Sequence, residues 1–373
     1  MLITTAYSEY RLLNLPSGAQ GTMILYILLV GLLGLTLACP PITNDTSTPS
    51  QGYFGPWFGT DKSGLWPSNS DGIHEIPYCY LNQKSFDKLS TQVNIGWAIW
   101  FSSIGSPSAA SGHSLDFKRV NVPGGANPWC RDEAGNWNTD IPKHALVVYL
   151  DDDEQALGGT TTVGYTPDEK NSDAGRHWMR MGTATDWDYA HELGHAFGLL
   201  HEHQRPDRDE HVKYNCKMLF GYNDALLRAI KDGHLPLELC SKAKIANLYG
   251  FAASQFTKDG NLIEGATSSK EYDIHSIMHY TSINFADPAK VRKHPGDPEY
   301  LPLTKKENGG PKEIIPEPEP FPDVDVTELD VSAIKAIWMK VSSVAGKKDN
   351  GTGVAAPSTF ATAVAKTIAT LRQ

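Results

Sequence analysis

Apolar positions along the chain fall into three kinds of pattern. Phe86, Leu89, Val93, Trp97 and Trp100 recur at helical spacing and predict an amphipathic helix whose aromatic face belongs in a core. Short runs rich in β-branched and aromatic residues at 115–122, 145–150, 160–165 and 178–181 read as strands. A shorter helix is expected at 224–231, inside an insertion-like region at 212–272. A last one runs to Trp338, with Thr327 suited to its N-cap and Glu328 and Asp330 in its first turn. Between these lie stretches with no core-forming period. Residues 40–59 are rich in Pro, Gly, Ser and Thr, and 341–373 offer little core material beyond a short helical pattern at 360–371.

One helical stretch also carries chemistry. Residues 191–202 read HELGHAFGLLHE, and on a helix His191 and His195 project from the same face, where both can hold one tetrahedral ion. The third imidazole, His201, cannot come from the same straight helix, because ten residues at 1.5 Å rise would carry it about 15 Å along the axis. The chain must turn back. Gly198 is the residue type that ends a helix at positive φ without steric cost, which returns His201 to the other two. Three ligands leave one position open, as in catalytic rather than structural zinc sites, and a water bound there would have its pKa lowered to about 7. Glu192, next to a ligand but pointing elsewhere, is the natural base for that water. Five fixed positions at about one chance in twenty each would arise in a chain of this length roughly once in ten thousand trials.

The run from His191 to Asp209, HELGHAFGLLHEHQRPDRD, resembles the astacin family of metzincin zinc endopeptidases, with Glu202, Arg205, Asp207, Arg208 and Asp209 at the family's positions. Ser276-Ile277-Met278-His279-Tyr280 is similar to the family's Met-turn. The resemblance implies that Met278 packs beneath one zinc ion per chain, and that Tyr280 swings off the metal to hydrogen-bond the oxyanion. It also implies that Glu202 meets the amino group of the matured terminus. The fold it implies is α+β and two-lobed. A twisted N-terminal sheet and two long helices, the second carrying the zinc motif, would stand over an irregular C-terminal lobe with the Met-turn and a terminal helix. Residues 65–67 and 76–78 resemble the first strand region of mature astacins. His203, His211 and His279 have the wrong spacing for ligands and read as structural or exposed imidazoles. The expected function is hydrolysis of peptide bonds by Glu192-assisted attack of a zinc-bound water. A zinc-bearing non-catalytic binding protein, or a hydrolase of non-peptide esters or amides, is the alternative.

With 373 residues, 40% hydrophobic and 20% charged, the chain can bury a full core, and a net charge of −10 argues against nucleic acid as a partner. The uncharged apolar run at 24–38 is shorter than a spanning helix and ends at Ala38-Cys39-Pro40, which reads as a secretory signal. Met23 is an alternative start, and an uncleaved membrane anchor the alternative reading. The expected organisation is a leader at 1–39, a short prosegment at 40–62, a catalytic domain at 63–340 and a low-complexity tail at 341–373. Secretion, no stable membrane insertion after signal cleavage, protein or peptide substrates and a monomer go with it. Outside the leader four cysteines remain, and they allow three pairings; Cys79–Cys130 and Cys216–Cys240 are expected. Asn44 and Asn350 head glycosylation triplets.

Two further stretches have double readings. Phe58-Gly59-Thr60-Asp61 is similar to the segment whose aspartate blocks zinc in astacin zymogens, although its glycine stands one place early. Asp61 is therefore either a zymogen switch, with cleavage after Lys62, or part of an ordinary turn. The glycine-containing strand near Gly159 is either an edge for an extended substrate or a strand weakened by glycine. The acidic run at 151–154 lacks calcium spacing and reads as a solvated loop.

Overall fold

The computed structural model describes residues 65–339 apart from 123–126, 152–155, 169, 259–270, 307–312 and 320–322. The leader, the prosegment with Asp61, the tail, both glycosylation triplets and Asp152, Asp153 and Glu154 lie outside the described residues.

The chain is α+β. Five strands, β1 (His74–Tyr80), β2 (Leu115–Arg119), β3 (Leu146–Leu150), β4 (Gly159–Thr161) and β5 (Trp178–Met181), form a sheet in the order β2-β1-β3-β5-β4. All neighbours are parallel except β4, which runs antiparallel to β5 at one edge. Parallel neighbours need a crossover, and α1 (Gln83–Ile104) supplies it between β1 and β2. Asn82 caps α1 by accepting from the Ser85 N–H at 2.9 Å, and Gly105, at φ 72°, stops it. Its buried face, including Leu89, Val93, Trp97 and Trp100, follows the predicted period.

Against α1 lies α2 (Asp186–Ala196), 11 residues long where α1 has 22, so only one of the two helices is long. Gly96 sets their spacing: a Cβ there would fall 3.0 Å from the Ala190 nitrogen. The dry core around α2 would leave its last carbonyls unpaired. Two fully buried indoles, Trp66 and Trp338, meet this need at the helix end, and a third, Trp100, adds a bond to a mid-helix carbonyl. Trp100 donates to the Ala190 carbonyl at 2.7 Å, Trp66 to Ala196 at 2.8 Å and Trp338 to Phe197 at 3.1 Å.

After α2 come α3 (Arg208–His211), β6 (Val212–Tyr214), α4 (Tyr222–Lys231), α5 (Pro236–Ser241), α6 (Ala243–Leu248), α7 (Pro288–Lys293), β7 (Leu303–Lys305) and α8 (Glu328–Ile337). β6 and β7 pair antiparallel, and Val212, Leu219, Leu239, Phe256 and Tyr280 centre a second hydrophobic core. α8 returns to the first core through Ile334, Ile337 and Trp338, with Thr327 as its N-cap. Disulfides join Cys79 to Cys130 (Cα–Cα 5.5 Å) and Cys216 to Cys240 (5.7 Å).

Three details differ from the sequence reading. β2 ends at Arg119 rather than 122: Val120 makes a last bond to β1, donating to the Tyr78 carbonyl at 2.8 Å, and Val120 and Val122 pack beside the Cys79–Cys130 cluster. β4 stops at Thr161, short of 165, where Gly164 at φ 57° turns the chain and donates to the His195 carbonyl at 2.9 Å. Asp151 is not solvated. It is 6% exposed and pairs with Arg180 at 3.1 Å.

Candidate metal centre

α2 begins with a capping box in which Thr185 and Asp188 exchange hydrogen bonds, and Asp186 and Asp188 complement the helix dipole. Its inner face then presents His191 and His195, both buried. Gly198 adopts φ 100°, a conformation strained for any residue with a side chain, and the chain doubles back to bring His201 beside them. Among the described residues, these three form the one cluster of His, Cys, Asp or Glu suited to a metal ion, with ligand atoms within 4.8 Å of one another.

The second nitrogen of each ring is committed. His191 Nδ1 donates to the Ile277 carbonyl at 2.7 Å, His195 Nδ1 to Leu199 at 2.8 Å and His201 Nδ1 to Gln204 Oε1 at 2.8 Å. With those protons at Nδ1, the three Nε2 atoms turn bare lone pairs toward one another. His201 Nε2 stands 3.2 Å from each of the others. Such a grouping is repulsive until a cation sits among the lone pairs. A tetrahedral ion 2.0–2.1 Å from each nitrogen would hold them about 3.3–3.4 Å apart, so the donor set fits zinc. Burial favours the neutral rings that ligation requires: it pulls His191 down to about 3 and His195 to about 4, and holds His201 well below its ordinary value.

Glu192 is 2% exposed beside the cluster, and it is packed against Gly159 of β4, where a Cβ would collide with its Cγ and with the Met181 sulfur. That glycine lets the edge strand lie directly on the carboxylate side chain. Met278 is likewise buried, and a Cβ on Gly194 of α2 would strike its sulfur. Tyr280 stacks on His203 at 4.1 Å and lies 4.7 Å from the His201 ring. His203 is a structural imidazole: it accepts from the Tyr280 N–H at 3.2 Å and donates to the Gln255 carbonyl at 2.9 Å. His279 is buried between the Tyr280 carbonyl and the Tyr272 hydroxyl, while His211 stacks on Tyr272.

The acidic and basic residues after His201 form a clamp. Arg205 reaches Glu202 at 2.7 Å and grips Asp207 with two hydrogen bonds, at 2.9 and 2.7 Å. Glu202 also accepts from the Asp273 N–H at 2.9 Å. Burial pushes its carboxyl up to about 7 against the opposing pull of Arg205.

Sequence reasoning missed several supporting groups. Gln204 orients His201 and is itself fixed by donating to the Thr257 carbonyl at 3.0 Å. Asp330 was visible only as part of an N-cap, yet it accepts from the Ser276 hydroxyl at 2.6 Å and the Ile277 N–H at 3.0 Å, so α8 holds the turn that orients His191. Burial raises Asp330 to about 6. Trp187, half-buried one helical turn before His191, packs its ring 4.8 Å from that imidazole. Gln204 stands inside the motif and Trp187 four residues before His191 on the same helix, but the contacts of Asp330 have no local signal.

The family model for Astacin, a peptidase family, matches residues 139–226. Nematocyst expressed protein 6 of Nematostella vectensis is 31% identical over 123 residues, 32% of this chain and 30% of that protein. Low choriolytic enzyme of Oryzias latipes is 24% identical over 273 residues, 73% of this chain and 70% of its own length. The chain thus spans less than a third of the nematocyst protein and just over two thirds of the choriolytic enzyme. Among solved structures, high choriolytic enzyme 1, a hatching enzyme zinc-protease of Oryzias latipes, aligns with a TM-score of 0.39 at 16% identity, covering 74% of this chain and 94% of that one.

Proposed function

The chain carries an astacin-family domain, and from that premise we propose that it is a zinc endopeptidase acting on protein or peptide substrates. The observation that carries this reading is the convergence of three proton-free imidazole nitrogens beside a buried carboxylate. Zinc, when bound by His191, His195 and His201, supplies a Lewis acid that acidifies water and polarises the scissile carbonyl. Glu192 takes the proton from the attacking water and returns it to the departing amine, a relay its burial favours by keeping bulk water from the carboxylate. Tyr280 donates its hydroxyl to the oxyanion that develops on the substrate carbonyl. β4, the antiparallel edge of the sheet, is itself buried, and Gly159 lets it lie directly against Glu192.

The wider organisation belongs to the same proposal. Residues 63–340 form the catalytic domain of a secreted precursor, released by cleavage of the 40–62 segment. The two disulfides suit an oxidising compartment. No helix among the described residues is long and apolar enough to cross a membrane.

Incubation of the purified protein with unfolded casein, with and without a chelator, tests the reading. Chelator-sensitive cleavage is expected, and Glu192→Gln should retain zinc while losing nearly all activity. Zinc binding without cleavage of any protein would leave a binding protein, and cleavage only of small esters or amides a different hydrolase. An active Glu192→Gln enzyme would remove Glu192 from the mechanism.

A further inference from the structure

Phe285 is the one residue other than glycine, among those described, whose backbone takes a positive φ, at 59°. Glycine or asparagine adopts that conformation readily, whereas a side chain as large as phenylalanine does so only where its surroundings hold it. The loop after Tyr280 supplies the hold. Asn284 Oδ1 accepts from both the N–H and the hydroxyl of Thr281, at 2.7 and 2.8 Å, and the Ala286 N–H donates to the Ile283 carbonyl at 2.9 Å. From outside the loop, the Phe220 N–H donates to the Phe285 carbonyl at 2.9 Å, and Ser282 exchanges two hydrogen bonds with Ile315, at 3.1 and 2.7 Å.

Strain of this kind points to a residue present for its side chain. Glycine at 285 would make the same turn without strain, but it would lack the ring. The Phe285 ring lies 5.8 Å from that of Tyr280 and 6.0 Å from that of Phe256, and Phe256 lies 5.6 Å from Tyr280, so the three rings close a triangle. His203 covers Tyr280 by stacking on it at 4.1 Å. His203 and Phe256 are each 0% exposed and have no room to yield, whereas Phe285 is only half-buried. Among these three neighbours of Tyr280, Phe285 is therefore the wall next to solvent, and the pinned loop decides where that wall stands. Its ring contacts are with Tyr280 and Phe256, not with the ligand histidines.

We propose that Phe285 is a positioning residue for Tyr280: its ring, fixed by the strained loop, limits where the phenol can lie and keeps the hydroxyl at the oxyanion. This rests on the catalytic reading of Tyr280 given above.

A double-mutant cycle on the purified active enzyme, with a soluble peptide as substrate, tests it. Phe285→Ala should lower kcat by about 10- to 100-fold, the effect of a catalytic group displaced by about an ångström, with KM and the zinc dissociation constant within about twofold of wild type. Introduced into Tyr280→Phe, the same substitution should change kcat by less than about twofold, because the hydroxyl it positions is gone. Phe285→Tyr keeps a ring and should recover most of the loss. Phe285→Gly removes ring and strain together, so it should match Phe285→Ala in kcat yet unfold at a higher urea concentration. Where Phe285→Ala does not fold, Phe285→Leu carries the same comparisons. A kcat within about twofold of wild type without the ring overturns the proposal. So does an equal loss in the Tyr280→Phe background, or a parallel loss of zinc, since either would make Phe285 a support of the whole site. An unchanged kcat in Tyr280→Phe would sink the reading of Tyr280 and this inference with it, whereas a loss there with none on removing the Phe285 ring would sink this inference alone.

Discussion

Gln204→Ala separates the orientation of a ligand from its presence. In the native structure His201 Nδ1 donates to Gln204 Oε1 at 2.8 Å and Gln204 Nε2 donates to the Thr257 carbonyl at 3.0 Å, with Gln204 only 5% exposed. Truncation leaves two buried polar groups, the His201 N–H and the Thr257 carbonyl, without these partners. At about 1–3 kcal/mol each, the fold should lose roughly 2–6 kcal/mol. The imidazole is then free to turn or change tautomer, and loss of such an orienting partner weakens metal binding by about 10- to 100-fold. Gln204→Glu provides the contrast: a carboxylate still accepts from His201 but sets a second acceptor against the Thr257 carbonyl. It should keep zinc affinity near wild type while remaining destabilised. Zinc dissociation constants from chelator competition, paired with urea unfolding of the zinc-free protein, read the two effects separately. An Ala variant that binds zinc within about twofold of wild type would refute the orienting role.

Three other expectations follow from the same site. Tyr280→Phe should lower kcat by about 10²- to 10³-fold with little change in KM, since one oxyanion donor is lost and the ring that stacks on His203 is kept; an unchanged kcat would return Tyr280 to the core. In the zinc-free protein, burial depresses His177, His191 and His279 to about 3 and His195 to about 4, with His201 and His203 also well below their ordinary value. Below about pH 6.5 the unfolded chain therefore binds more protons than the folded one. Stability that is fully present above that pH should fall on acidification, by up to about 1.4 kcal/mol per imidazole per pH unit. A urea midpoint that stays flat from about pH 8 to 5 would contradict this burial. If maturation cuts after Lys62, terminal sequencing of active enzyme should begin near Ser63 and Asp61→Ala should activate the uncut precursor; a mature terminus near Pro40, or a precursor equally silent without Asp61, would refute that scheme.

What was legible in the sequence was what lies close together along it. His191, His195, Gly198 and His201 fall within eleven residues, so helix geometry and one glycine suffice to bring three rings together, and the α1 periodicity shows its core face directly. The length of β4 was not legible, because it is set by where Gly164 meets the His195 carbonyl, a tertiary contact between segments that share no local pattern. The same holds for Asp330. An N-terminal acid in a capped helix is ordinary, and only the return of α8 to the first core places it under the Met-turn. Gln204 was within sight in the motif run, but its acceptor role depends on Thr257, 53 residues on.

The placement of the site between two cores explains why so much of its support comes from a distance. α2 packs Leu193 and Phe197 into the first core, as does Met278 of the Met-turn, whereas Tyr280, two residues later, belongs to the second. Neither core alone positions both the ligands and the tyrosine. In the first, indole N–H groups bond two carbonyls of α2 and that of Phe197 just after it, which helps fix the helix and with it His191 and His195. The second reaches the site through ring contacts, with Phe256 edge-on to Tyr280 and Tyr280 stacked on His203. Under the proposed function, ligand rings oriented by directional hydrogen bonds and a tyrosine ring lodged among other rings are the division that suits a metal that stays and an oxyanion donor that moves.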